Sequence, residues 1–199
     1  MEPCTTLKEN NYFVTQDFEK YDLDRFMSKC KKLGFKNNSS LKEMRWDWVY
    51  ENMGSFWAFV KDDNIISISG CHPFPGMEDD TYRIGYRSAV IPGEDPFKGM
   101  SKYGYNAIPN RVLFQYQIRF CQNIGVNNFI LTTNCDKDGY LDMSHVMEQK
   151  INKYTNLSEY LGDRIIFGTR QSLWKYNVEE YKKSILRLKQ EKYFIIDQI

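Results

Sequence analysis

With 199 residues and 42% hydrophobic content, the chain can bury one sizeable core but is too short to suggest two domains, so one domain over 1–199 is predicted. Lys and Arg number 27 against 26 Asp and Glu, which leaves no basic field for a nucleic-acid backbone. No segment approaches the roughly 20 apolar residues of a membrane span and no secretory leader pattern is present, while Cys4, Cys30, Cys71, Cys121 and Cys135 form no CxxC pair, all of which fits a soluble cytoplasmic protein with free thiols.

After a polar start, predicted to be loose, Leu23, Phe26, Met27, Cys30 and Leu33 keep helical spacing, with Asp22 ahead as a cap and Gly34 behind as a stop. A second helix is predicted from Ser40, where Ser40 and Glu43 form a capping box and Leu41, Met44 and Trp48 share one face, until Gly54 ends it. The runs 56–60 and 65–71 flank the polar turn Lys61-Asp62-Asp63-Asn64, a β-hairpin pattern. Ile66 and Ile68 alternate with Ser67 and Ser69, which predicts one half-open face. A loop is expected over 72–80, then a strand over 81–91 closed by Pro92-Gly93. The Gly- and Pro-rich stretch that follows is irregular, and loops of that length are often functional.

Asn106 is the nearest side chain able to cap the central helix, and Pro109 suits its first turn. Leu113, Tyr116, Phe120 and Ile124 form one stripe, and Phe114, Ile118 and Cys121 a second, so much of this helix should be covered. Gly125 supplies a left-handed stop, and Phe129-Ile130-Leu131 runs without alternation, as in a strand covered on both faces. That strand finishes in Thr132-Thr133-Asn134, and ligands bind at such strand ends in open α/β sheets, which makes Asn134 a candidate. Asp136, Asp138 and Gly139 read as a turn, and Asp142 as the cap of a short helix carrying Val146, Met147 and Ile151. Strands over 160–167 and 170–176 enclose the Gly168-Thr169 turn, and Asn177 and Glu180 box a final helix with Tyr181, Ile185 and Leu188 inward. The predicted order is α-α-β-β-β-α-β-α-β-β-α.

Cys71 and His72 place a thiol beside a base, but neighbours on a strand point to opposite faces, which argues against their pairing. His72 and His145 are the chain's two histidines, and with scattered cysteines they give no zinc spacing. Asp136, Asp138 and Gly139 lack the closing Glu of a calcium loop, so no metal site is expected. Trp48 reads as core and Trp46 as open to stacking.

With FWAFVKDDNIISISG as hairpin, YRIGYRSAVIP as third strand, a long helix before VNNFILTTN and a closing pair ending in GTRQSLWKYN, the chain from Asp17 to Tyr176 resembles the GCN5-related N-acetyltransferase (GNAT) superfamily, residues 177–199 forming a C-terminal helix and tail. More narrowly, FILTTN and RIIFGTRQSLWKYN are similar to segments of acetyltransferase-like proteins of large tailed phages. The resemblance implies an α+β fold with a mixed, mostly antiparallel central sheet flanked by helices. It also implies an N-acyltransferase that takes acetyl-CoA or another acyl-CoA as donor and a small-molecule amine or protein amino group as acceptor. In such a protein the strand over 81–91 splays from the strand over 128–133, and Ser88, Ala89, Val90 and Ile91 offer backbone groups to the pantetheine arm. The central helix would face the pyrophosphate, with Lys98, Gly99, Ser101, Lys102 and Arg111 nearby. Asn134 would bind cofactor amides or the acceptor, and Tyr140 would protonate the leaving thiolate.

Two features depart from that family's pattern. Its short glycine loop before the helix is replaced by a longer one, in which Gly99 and Gly104 accompany Glu94 and Asp95, whose charges oppose a pyrophosphate. The strand YRIGYRSAVIP also carries no carboxylate to act as base. A GNAT-shaped binding or assembly module without catalysis is therefore the alternative. An acyl-homoserine-lactone-synthase-like acyltransferase is a third reading, although that family's signature residues are missing.

Overall fold

The computed structural model describes residues 12–17, 20–32, 46–74, 76–77, 80–90, 108–134, 158–166 and 168–183. Among them the elements run β1 (Tyr12–Thr15), α1 (Leu23–Lys32), α2 (Trp46–Glu51), β2 (Ser55–Lys61), β3 (Asn64–Pro73), β4 (Thr81–Val90), α3 (Ile108–Asn123), β5 (Asn128–Asn134), β6 (Ser158–Ile166) and β7 (Thr169–Tyr176). Residues 178–183 are helical again. No helix of the described residues is long and apolar enough to cross a membrane.

Local chemistry explains most boundaries. Asp22 caps α1, its Oδ1 accepting the Arg25 amide at 2.7 Å, and Asn177 Oδ1 accepts the Glu180 amide at 3.0 Å. Asp62 and Asp63 both have positive φ (44° and 59°), the two-residue turn whose twist suits a hairpin, and they join β2 to β3. Gly125 (φ 85°) ends α3: its amide donates to the Gln122 carbonyl at 3.0 Å, and the Val126 amide to the Cys121 carbonyl at 2.8 Å. Those two bonds close the helix end and direct the chain straight into β5.

The strands form one sheet in the order β1-β2-β3-β4-β5-β7-β6, and every neighbouring pair is antiparallel except β4 with β5. One face packs on α3, where Phe59, Ile84 and Phe129 meet Leu113 and Ile118. The other lies toward α1 and α2, where Phe26 and Val49 meet Phe56, Ala58 and Ile68. Phe59, Leu113 and Phe129 are at most 1% exposed; each such side chain stabilises the fold by about 2 kcal/mol through apolar burial.

The α+β class and its mostly antiparallel mixed sheet are as the sequence predicts, with four corrections. The start of the chain is not all loose: Tyr12–Thr15 forms edge strand β1, with Phe13 opposite Val60. The second helix stops at Glu51, and Met53 rather than Gly54 takes the positive φ (60°). Gly54 instead serves close approach, since a Cβ there would lie 2.4 Å from Val49 Cγ1. His72 and Pro73 belong to β3, not to a loop. The face carrying Ser67 and Ser69 is not half-open, because both serines are fully buried, Ser69 against Gln117 of α3. The predicted Ser40/Glu43 box, the Gly34 stop, the segment after Val90, the turn at Asp136, the Asp142 helix and the later part of the last helix lie outside the described residues.

Candidate functional site

β4 and β5 pair as parallel strands through Thr81 with Asn128, Tyr82 with Phe129 and Arg83 with Ile130, and then separate. Beyond that point β4 follows β3, with Tyr86 opposite Gly70, Ala89 opposite Ile68 and Val90 opposite Ser67, through two register shifts. Meanwhile β5 continues to Asn134 against β7. The two central strands thus part, and the apex of their separation lies just past Arg83 and Ile130. Gly85 sits at this apex with φ 68°, where a Cβ would come within 3.0 Å of Leu131 Cδ2 and Phe114 Cζ. Both its conformation and its crowding call for glycine.

On the α3 side, polar side chains surround Gly85. Its amide donates to Gln117 Oε1 at 2.8 Å, and Gln117 Nε2 donates to Ser69 Oγ at 2.8 Å. The Ser69 and Ser88 hydroxyls lie 2.6 Å apart, and Ser88 Oγ donates to the Gly85 carbonyl at 3.0 Å. A carbonyl only accepts, so the Ser88 proton is committed to Gly85 and Ser69 must donate to Ser88. The four bonds run head to tail in a closed circuit around one residue. Ser69 and Gln117 are fully buried within it.

On the α2 side stands His72, also fully buried. Its Nδ1 is 2.7 Å from the Pro73 carbonyl oxygen, so Nδ1 carries the proton and Nε2 is left as a lone pair with no hydrogen bond among the described residues. Burial, reinforced by the Arg83 charge on the neighbouring strand, lowers the imidazole pKa to about 4. The ring is therefore neutral near pH 7. Trp48 and Tyr86 close over it edge-on, with ring centroids 5.3 Å and 4.6 Å away. Arg83 extends along the same face, its guanidinium 5.0 Å from the Tyr86 ring centroid and its Nη2 donating to Gln171 Oε1 at 3.2 Å. Thr132 on β5 likewise has a buried hydroxyl oxygen without a partner among the described residues.

Cys71 points the other way. Its sulfur is 3.8 Å from that of Cys121 on α3, and burial, followed by that contact, pushes its thiol pKa up. The expected separation of Cys71 from His72 onto opposite faces is what the strand delivers. Among the described residues no cluster of three His, Cys, Asp or Glu side chains is arranged to hold a metal.

Of the residues predicted for a donor site, Ser88, Ala89 and Val90 lie on β4 beyond its departure from β5. The Ser88 hydroxyl is already committed to the circuit. Arg111 lies in the first turn of α3, and Asn134 ends β5 opposite Gln171. Ile91, Lys98, Gly99, Ser101, Lys102 and Tyr140 lie outside the described residues. Sequence reasoning missed Gln117, Ser69 and the strand placement of His72. One signal existed for Gln117: with apolar stripes on both sides of α3, a glutamine between them has little route to water.

A mixed sheet whose central parallel pair splays at a bulge, backed by one long helix, is the architecture of the GNAT acetyltransferases, and the chain has that fold. Among solved structures it is similar to an acetyltransferase of the GNAT family from Staphylococcus aureus Mu50 (TM-score 0.55, 12% identity), covering 84% of this chain and 99% of that one. It is also similar to aminoglycoside 6′-acetyltransferase type Ii, at TM-score 0.54 and 15% identity over 83% of this chain and 97% of that one. A third is yncA of Salmonella typhimurium, solved with its cofactor acetyl-CoA, at TM-score 0.53 and 6% identity over 85% and 95%. No protein-family model and no curated protein matches the chain. At these identities the likeness establishes the fold.

Proposed function

We propose that the chain is an acyl-CoA-dependent N-acyltransferase whose donor lies in the gap between β4 and β5. The observation that carries this reading is the departure of β4 from its parallel neighbour after Arg83 and Ile130. Strand edges facing a gap need partners for their N–H and C=O groups, and the pantetheine arm is a chain of amides that supplies them. Ser88, Ala89, Val90 and Ile91 bind it through the main chain. The first turn of α3 favours the pyrophosphate through its unpaired N–H groups and helix dipole, helped by Lys98, Gly99, Ser101, Lys102 and Arg111. In the reaction a neutral amine nitrogen attacks the thioester carbon; the N–C bond forms, the C–S bond breaks, the amine gives up a proton to water, and the leaving thiolate gains one from Tyr140, which is reprotonated from solvent. Asn134 orients cofactor amides or the acceptor, which is a small-molecule amine or a protein amino group. The fold neighbours include an aminoglycoside acetyltransferase and a protein solved with acetyl-CoA, which supports both the donor and the acceptor class.

Isothermal titration with acetyl-CoA tests this reading. Micromolar binding, lost in a Lys98→Ala, Lys102→Ala, Arg111→Ala triple variant, is the expected result. Absence of both heat and thermal shift at millimolar acetyl-CoA overturns it. One observation favours a second reading: β4, with the sequence TYRIGYRSAV, has no carboxylate to serve as base. A binding or assembly module of the same fold would bind partners without turnover.

A further inference from the structure

We infer that Gln117 is a positioning residue for the acyl donor, holding the β4–β5 gap open by taking the hydrogen bond that would otherwise zip it shut; this rests on the acyltransferase reading above. The parallel register pairs Arg83 with Ile130. Carried two residues further, it would set Gly85 beside Thr132 and satisfy the backbone from β5. A strand that leaves its neighbour must find other partners for these groups. Gln117 supplies one by accepting the Gly85 amide at 2.8 Å, and Ser88 the other by donating to the Gly85 carbonyl at 3.0 Å. The Ser69 hydroxyl, bonded to both, joins the two into one unit. Gly85 thus has its amide and its carbonyl held from the α3 side, and β4 is committed to β3.

Gln117 is fully buried, so its action runs through Gly85. Among the described residues this device couples the long helix to the strand separation, and helix and strand are the two elements that contact opposite ends of the donor in the reading above. Its loss should weaken donor binding more than it disturbs the rest of the fold.

The test uses the full chain, titrated calorimetrically with acetyl-CoA, with a thermal melt of each variant. Gln117→Leu is expected to melt cooperatively and to bind at least tenfold more weakly than the unsubstituted chain. Gln117→Glu supplies a readout that plain destabilisation of the core would not give. Protonated, its acid accepts from Gly85 and donates to Ser69 as the amide does; ionised, it has no donor. Acetyl-CoA affinity of this variant should approach that of the unsubstituted chain in mild acid and fall as pH rises, while the unsubstituted chain changes little. If Gln117→Leu does not fold, Ser88→Ala opens the circuit at its far side and is expected to weaken binding severalfold. Unchanged affinity in a folded Gln117→Leu, or in Ser88→Ala where that is the variant measured, overturns the inference and leaves the acyltransferase reading standing. Failure of the unsubstituted chain to bind acetyl-CoA at all overturns both.

Discussion

On the α3 side of the departing strand, Gln117 and Ser69 are fully buried and each finds its partners; on the α2 side, His72 is as deeply buried and keeps Nε2 unmatched among the described residues. Equal burial therefore says nothing about role. A matched polar network within a core fixes one geometry, because any shift breaks several bonds together. An unmatched buried acceptor costs about 1–3 kcal/mol and fixes little, but it leaves a lone pair able to take a proton. The α3 side of the β3–β4 pair sets shape, and the α2 side, through His72 of β3 opposite Arg83, carries unused chemical capacity.

The hardest way to break the shaping face is Gly85→Val. It forces a β-branched residue to φ 68° and places a Cβ within 3.0 Å of Leu131 and Phe114; a loss of about 4 kcal/mol is expected from strain and overpacking together. Urea unfolding measures it, and a loss below about 1 kcal/mol would mean that the apex can relax.

The unmatched face is tested by acid. Folded His72 takes its proton near pH 4, whereas an unperturbed imidazole does so near 6.5. The unfolded chain therefore binds more protons in that window, and stability is full above pH 6.5 and falls as pH drops toward 4. The loss reaches about 3 kcal/mol once both forms are protonated. In His72→Gln this segment of the pH dependence should vanish; urea midpoints taken across it decide, and an unchanged slope would assign the effect to another group.

Smaller effects sharpen the comparison. Gln117→Leu leaves the Gly85 amide and the Ser69 hydroxyl short of a partner and should cost about 2 kcal/mol, with no new pH dependence between pH 5 and 8. Ser88→Ala should cost about 1 kcal/mol, since Ser88 is half-buried and water can reach part of what it leaves. If urea unfolding ranks these two variants in the reverse order, the circuit is anchored at the serine and not at the helix.

Much of the scaffold was legible because its signals are local. The α3 stripes, the Gly125 stop, the Asp62-Asp63 turn and the Asp22 cap each depend on a few adjacent residues, and each appears where the sequence puts it, except that Ile124, expected to close the first stripe, lies past the helix end at Asn123 and is 40% exposed. β1 was illegible because Tyr12–Thr15 is four residues long and becomes a strand only by pairing with β2, whose residues lie far along the chain. The sequence points to a loop at His72 because His-Pro-Phe-Pro-Gly reads as one. The Phe74 amide donates to Thr81, so alternate residues of β3 turn their amides toward β4 and the Pro73 nitrogen faces the other edge. On that edge β2 pairs no further than Cys71, opposite Ser55, so the missing donor costs nothing. The circuit needed three separate stretches of chain to be placed together before any of its residues differed from an ordinary surface glutamine or strand serine. Of the residues proposed for the donor site, Ser88, Ala89 and Val90 lie on β4 past its pairing with β5, because the alternation and length of that run are themselves local.

Gly85, Gln117, Ser69 and Ser88 include no group that ionises between pH 4 and 10. Their four dipoles follow one another around a ring, so their fields largely cancel a short way off. The support beneath the gap is in this sense electrically silent: it contributes no net charge to the potential that a bound anion or a developing thiolate would feel, and salt has little to screen in it. The strand separation should consequently keep its shape across the acid range in which the imidazole on the opposite face gains its charge.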